Sequence, residues 1–89
     1  MKFEVSTLKN KKYMVITPKG KLIHFGDRNM EQYKDTTGLN KYSHLNHYDE
    51  VRRHKYLSRA RPIKNKKGEL TYLDKESPNY YSMRYLWSY

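Results

Sequence analysis

KFEVSTLKNKKYMVITPKGKLIHF, residues 2–25, is the stretch whose reading decides the fold. Phe3-Glu4-Val5-Ser6 alternates apolar and polar residues, the pattern of a half-buried strand. Tyr13-Met14-Val15-Ile16-Thr17 is rich in β-branched and aromatic side chains and gives the strongest strand signal in the chain. Lys9-Asn10-Lys11 between them is polar and suits a hairpin turn. Pro18-Lys19-Gly20 supplies a second turn, with proline pre-setting φ and glycine tolerating positive φ. Lys21-Leu22-Ile23-His24-Phe25 follows as a third strand, closed by Gly26-Asp27. Residues 1–26 therefore read as a three-stranded antiparallel meander.

Downstream the period changes from two to 3.6. Residues 27–42 are irregular, with a loop at Thr36-Thr37-Gly38-Leu39-Asn40. Ser43 is placed to cap a central helix spanning residues 43–61, whose stripe of Leu45, Tyr48, Tyr56 and Ala60 forms a core face. Arg52 falls inside that stripe and must snorkel or pair with Asp49. Pro62 stops the helix. Residues 62–73 read as a basic hairpin or loop turning at Lys66-Lys67-Gly68, with Leu70–Leu73 a brief strand candidate. Ser77-Pro78 is a helix-start pair, and residues 77–88 form a short terminal helix carrying Tyr81, Tyr85 and Leu86 on neighbouring positions. The expectation is one small α+β domain.

Composition bounds the rest. Eighty-nine residues hold one core. Only 36% are hydrophobic, but ten Tyr, two Phe and one Trp supply a ring-rich core, each ring burying roughly 150–250 Å². With no cysteine there is neither a disulfide staple nor thiolate zinc ligation. No apolar run approaches the ~18–20 residues that span a bilayer, and no signal-peptide core follows Met1. The expectation is a protein made without export, with no membrane partner and no cofactor.

Charge is the most informative feature for function. Between Glu50 and Glu69, eighteen residues contain no acid and collect Arg52, Arg53, Lys55, Arg59, Arg61, Lys64, Lys66 and Lys67. The eleven other cations face nine acids, so the net +10 is mostly local. Such a field repels itself, and an acidic partner removes that cost. These eight residues are the candidate polyanion-binding site, directed at a nucleic acid backbone or an acidic protein surface. Tyr48, Tyr56 and Tyr72, interleaved with them, are suited to stacking on unpaired bases. Tyr80–Trp87 reads either as an aromatic anchor for a neighbouring protein or, preferably, as the closing face of the core. Tyr81, Tyr85 and Trp87 join the candidate aromatic contacts on the first of those readings.

The histidines give little support to metal chemistry. His44 and His47 would supply two ligands on the central helix, with a third required from a distance, and His54 lies roughly 10 Å further along the axis than His47. The string His44-Leu45-Asn46-His47 resembles His-Asn-His nucleases in letters only, because those spread their residues over a hairpin and a helix. There is no Gly-rich phosphate loop and no closely paired carboxylates, so an enzyme is not expected. A small metal-dependent nuclease stays as the remotest alternative.

FGDRNMEQYKDTTGLNKYSHLNHYDEVRRHKY (residues 25–56) and SPNYYSMRYLW (residues 77–87) resemble a family of small basic proteins encoded by large double-stranded DNA viruses of eukaryotes, of the giant-virus type. The shared features are the FGD turn, the YKD-TGL loop, the YSHL-H-D-RR segment and the terminal YLW. The resemblance implies a location in the virion, with host cytoplasm or nucleus during infection, and carries no catalytic role. The combined expectation is a non-enzymatic virion structural or accessory protein that binds a capsid component or packaged DNA. The alternative is a sequence-independent nucleic-acid-binding protein acting in viral genome handling.

Overall fold

The computed structural model describes residues 2–89. It bears out the α+β expectation: strands β1 (Phe3–Val5), β2 (Lys11–Ile16) and β3 (Leu22–Asp27) form one antiparallel sheet in the order β1-β2-β3, followed by helices α1 (Glu50–Ala60) and α2 (Pro78–Leu86). Val15 pairs with Phe3 on one side and Ile23 on the other, and Tyr13 with Val5 and Phe25. Period-two alternation thus brings Tyr13, Val15, Ile23 and Phe25 to one buried face. The β2–β3 turn closes where expected. Gly20, at φ 81°, donates to Thr17 O at 2.9 Å, and Thr17 Oγ1 accepts the Lys21 amide.

α2 covers that face with Tyr81 and Leu86, and Trp87 follows them into the same core. Ser77 caps it, taking the Asn79 amide on its hydroxyl, and Pro78 occupies the first turn, as the sequence predicts. The rings interlock: Phe3 lies 4.5 Å from Tyr85, and Tyr56 of α1 stacks on Trp87 at 4.0 Å with 4° between planes. Closing the core is what the terminal aromatic stretch does.

The central helix differs from its expectation. Residues Ser43–Leu45 make a single 3-10 turn, and α1 begins only at Glu50. Two local facts prevent one continuous helix. Asn46 is extended, its Oδ1 accepting Gln32 Nε2 at 2.6 Å and the Asp35 amide at 2.9 Å. Tyr48 has φ 54°, outside the helical region for an L-residue. Asp49, not Ser43, is the cap, with Oδ1 accepting the Val51 and Arg52 amides at 2.9 and 3.2 Å. Of the predicted stripe, Ala60 is buried, Leu45 and Tyr56 are half-buried, and Tyr48 is exposed. Arg52 pairs with Glu31 at 2.8 Å, not with Asp49.

α1 ends before Pro62. The basic turn then forms around Asn65, whose Oδ1 accepts the Lys67 and Glu69 amides, with Gly68 at φ 79°. A lone antiparallel bridge joins Lys64 to Leu70. The strand expected at 70–73 is instead a 3-10 turn over Thr71–Leu73, tied down by Thr71, which donates to Ile63 O through both its amide and its hydroxyl. The terminal helix stops at Leu86, two residues short of the expected 88.

Gly26 is where sheet and helix meet most closely. Its φ is 78°, and a Cβ there would lie 2.8 Å from Leu86 Cδ1 and 3.2 Å from Lys12 Cβ. Gly26→Ala therefore combines backbone strain with overpacking and is expected to cost about 2 kcal/mol or more. A denaturant-unfolding midpoint unchanged by the substitution would contradict this packing.

Candidate functional site

On α1, steps of 100° put Arg52, Lys55 and Arg59 on one exposed stripe, with Tyr56 and Ala60 turned toward the core. The stripe is one wall of a groove of about 310 Å³. Gly26 and Asp27 at the end of β3 and Met30, Glu31 and Gln32 after it line the groove as well. Tyr56, Leu86 and Trp87 give it an apolar lining, and Lys12 also borders it. Two cations on this wall, Lys55 and Arg59, make no ion pair among the described residues. Arg52 is held by Glu31, whose carboxyl is kept below its ordinary range by that hydrogen bond and the Arg52 charge.

Lys12 is the unusual member. It is 1% exposed, with Nζ donating to Met30 O at 2.6 Å and to Gln32 Oε1. Burial lowers its pKa to about 8, against the opposing charges of Asp27 and Asp35. Gln32 is fully buried and extends the network, donating through Nε2 to Tyr42 O at 2.8 Å and to Asn46 Oδ1. Beside it Tyr13 donates to Asp35, and burial together with that bond pushes the phenol up to about 12.

The other predicted cations go elsewhere, so the eight do not form a single patch. Arg53 turns inward, donating to Trp87 O and Ser88 O at 2.9 Å each and lying over the Tyr33 ring. Arg61 sits over Tyr72 beside a different depression, with Ser58 and Pro62. Lys66 and Lys67 border a third, shared with Lys19, Glu69, Asp74 and Glu76, whose carboxylates offset them. Lys64 is exposed on the same turn. The reason is geometric: a helix rotates successive residues by 100°, so neighbours such as Arg52 and Arg53 leave on different faces.

The aromatic candidates also need correcting. Tyr81 is fully buried and Trp87 is 8% exposed, so neither is free to anchor a partner. Tyr85 packs on Phe3, and Tyr72 meets Tyr89 edge-on at 5.6 Å. Tyr56 and Trp87 spend their facing surfaces on each other. Only Tyr48 among the six stands largely exposed. The two histidine candidates do not share a helix. His44 is exposed on the 3-10 turn. His47 lies between Trp87 and Tyr33, its Nδ1 accepting the Asp49 amide at 2.9 Å and its Nε2 buried without a partner. Burial, with Arg52 nearby, holds this imidazole below its ordinary range.

Sequence reasoning missed Lys12, Asp27, Met30 and Glu31, which reach the groove only through tertiary contacts. It also missed Ser6, whose hydroxyl lies 2.7 Å from His24 Nδ1. That pair has the spacing of a nucleophile and its base. Ser6 is 4% exposed, however, and its Oγ also takes the Leu8 amide at 3.0 Å, which makes it a staple of the β1–β2 turn.

A family of unknown function (DUF5754) matches residues 1–60. The matched segment holds the sheet, the connecting segment and α1, with Lys12, Arg52, Lys55 and Arg59. The basic turn at 64–67 and α2 lie beyond it. No curated protein and no solved structure matches the chain.

Two of the shifted groups, Lys12 and Tyr13, give a pH signature. Folded Lys12 releases its proton near pH 8, whereas the unfolded chain keeps it to about 10.5, so the unfolded state binds more protons in that window and stability rises with pH. Tyr13 acts oppositely: unfolded it ionises near 10 and folded near 12, so stability falls above pH 10. Chemical-denaturation midpoints should climb from about pH 8 to about pH 10 and then drop. Lys12→Met should lose the climb, and a flat wild-type profile across that range would contradict the burial of the ammonium.

Proposed function

The chain belongs to that family of unknown function, and we propose that it is a non-enzymatic binding module that docks an anionic partner on the α1 wall of the groove. The observation that carries this reading is the placement of Arg52, Lys55 and Arg59 along one stripe over about 10 Å of helix axis, with Lys55 and Arg59 unpaired and Lys12 beside them. The partner is a nucleic acid backbone or the acidic surface of a capsid component. The resemblance of residues 25–56 and 77–87 to small virus-encoded proteins supports a virion or genome-handling setting. Charge neutralisation supplies the affinity, and no step of bond chemistry is required.

The footprint decides the salt dependence. Neutralising Z duplex phosphates makes the logarithm of affinity fall with the logarithm of salt at a slope of about −0.9Z. A three-cation stripe therefore gives about −3, whereas eight converging cations would give about −7.

In a fluorescence-anisotropy salt titration of the full chain against duplex DNA, the slope should lie near the smaller value. Reversing Lys55 and Arg59 to Glu should weaken binding by about tenfold or more, and reversing Lys66 and Lys67 by less than about threefold. Both pairs are exposed, so folding should survive. Equal losses from the two double variants would overturn the assignment of the stripe. Failure to bind either DNA or polyglutamate at low ionic strength would overturn the function itself.

A further inference from the structure

The groove is more than a strip of positive charge. Its α1 wall is cationic, but the acids Asp27 and Glu31 line it as well, Glu31 paired with Arg52 at 2.8 Å. One Asp27 oxygen accepts the Asn29 amide at 2.9 Å, and the other has no hydrogen-bond partner among the described residues. Lys12 offers the complementary group. An ammonium has three N–H donors, and only those to Met30 O and Gln32 Oε1 are engaged among the described residues. A buried donor and a free acceptor thus border one apolar recess, with cations along a single rim.

An occupant must match that asymmetry. A peptide carrying several carboxylates would set some of them against Asp27 and Glu31. A nucleotide separates its parts: the anionic phosphate lies at one end, and the uncharged base carries hydrogen-bonding groups on its edge. The volume, about 310 Å³, sits at the lower end of small-molecule pockets, which run from about 300 to 1,000 Å³, and so suits one such unit. Within a duplex that base edge is already paired and stacked. In a single strand it is free to enter a recess and meet aromatic and apolar side chains.

Resting on the anionic-partner reading above, we infer that the groove between α1 and the end of β3 receives one unpaired nucleotide of a single-stranded nucleic acid. The phosphate lies against Lys55 and Arg59 and the base against the exposed Met30 side chain. A base amine donates to Asp27, and the adjacent ring acceptor takes the spare N–H of Lys12. Cytosine and adenine present that amine and acceptor side by side. Thymine also offers a donor beside an acceptor, N3–H next to O4, but its second carbonyl, O2, flanks that donor and is repelled by the Asp27 carboxylate. The site therefore prefers bases with an exocyclic amine, and a base-edge contact of this kind discriminates by about 1–3 kcal/mol, about fivefold or more in affinity.

Trp87, the chain's one tryptophan, lines the groove, so its fluorescence reports occupancy directly. The full chain is titrated with oligo(dC), oligo(dT), duplex DNA and polyglutamate. Oligo(dC) should change the Trp87 emission and bind at least about fivefold more tightly than oligo(dT). Asp27→Asn keeps an oxygen for the Asn29 amide and should weaken oligo(dC) binding until the preference over oligo(dT) is lost; circular dichroism verifies its fold. Duplex binding with no emission change and no base preference would overturn this inference while leaving the anionic-partner reading intact. An equal emission change with polyglutamate would overturn it in favour of an acidic peptide. Absence of binding to all four would overturn both.

Discussion

Burial of the Lys12 ammonium against Gln32 is the constraint on which the arrangement of this protein rests. A cation taken out of water needs compensation, and Met30 O and Gln32 Oε1 provide it. Gln32 in turn engages Tyr42 O and Asn46 Oδ1, and Asn46 accepts the Asp35 amide. The Tyr13–Asp35 bond fastens the same segment to β2 a residue away. A connection with little regular structure is thereby fixed against the sheet. Its course determines where Tyr48 adopts positive φ, where Asp49 caps, and which way α1 points. Removing any one partner strands a buried polar group, at about 1–3 kcal/mol each.

The direction of α1 then sorts the charge. The inward side carries Tyr56 onto Trp87 and Arg53 onto the carbonyls of Trp87 and Ser88, which holds the end of the chain to the helix. The flank toward β3 carries Arg52, Lys55 and Arg59. A run of cations that is continuous in sequence therefore separates into a structural clamp, a groove wall and an exposed turn offset by its own acids. Local density of charge along a chain is a statement about composition, and only the stripe converts it into a surface.

The meander was legible because each strand declares itself locally. Tyr13-Met14-Val15-Ile16-Thr17 is a run of β-branched and aromatic residues, and Pro18-Lys19-Gly20 leaves the backbone few choices. Ser77-Pro78 marked α2 for the same reason. The start of α1 was not legible, because Ser43 and Asp49 are both competent caps and the stripe Leu45–Tyr48–Tyr56–Ala60 fits a longer helix. What decides between them is Asn46, whose side chain is claimed by Gln32 and Asp35 from fourteen and eleven residues away. The groove's second wall was hidden for the same cause. Lys12, Asp27 and Met30 meet α1 only after the segment beyond β3 has folded over, and no local pattern encodes that. The cationic stripe itself is legible in the sequence, because 100° stepping brings Arg52, Lys55 and Arg59 within about 60° of one another.

The most direct test of the central claim is to map backbone and indole amide shifts of the full chain by NMR as a short anionic oligonucleotide is added at low salt. The account predicts that the shifts cluster on Lys55, Arg59, Asp27, Met30 and the Trp87 indole. Perturbations concentrated instead on Lys19, Lys66 and Lys67, or spread evenly over every exposed lysine, would contradict it.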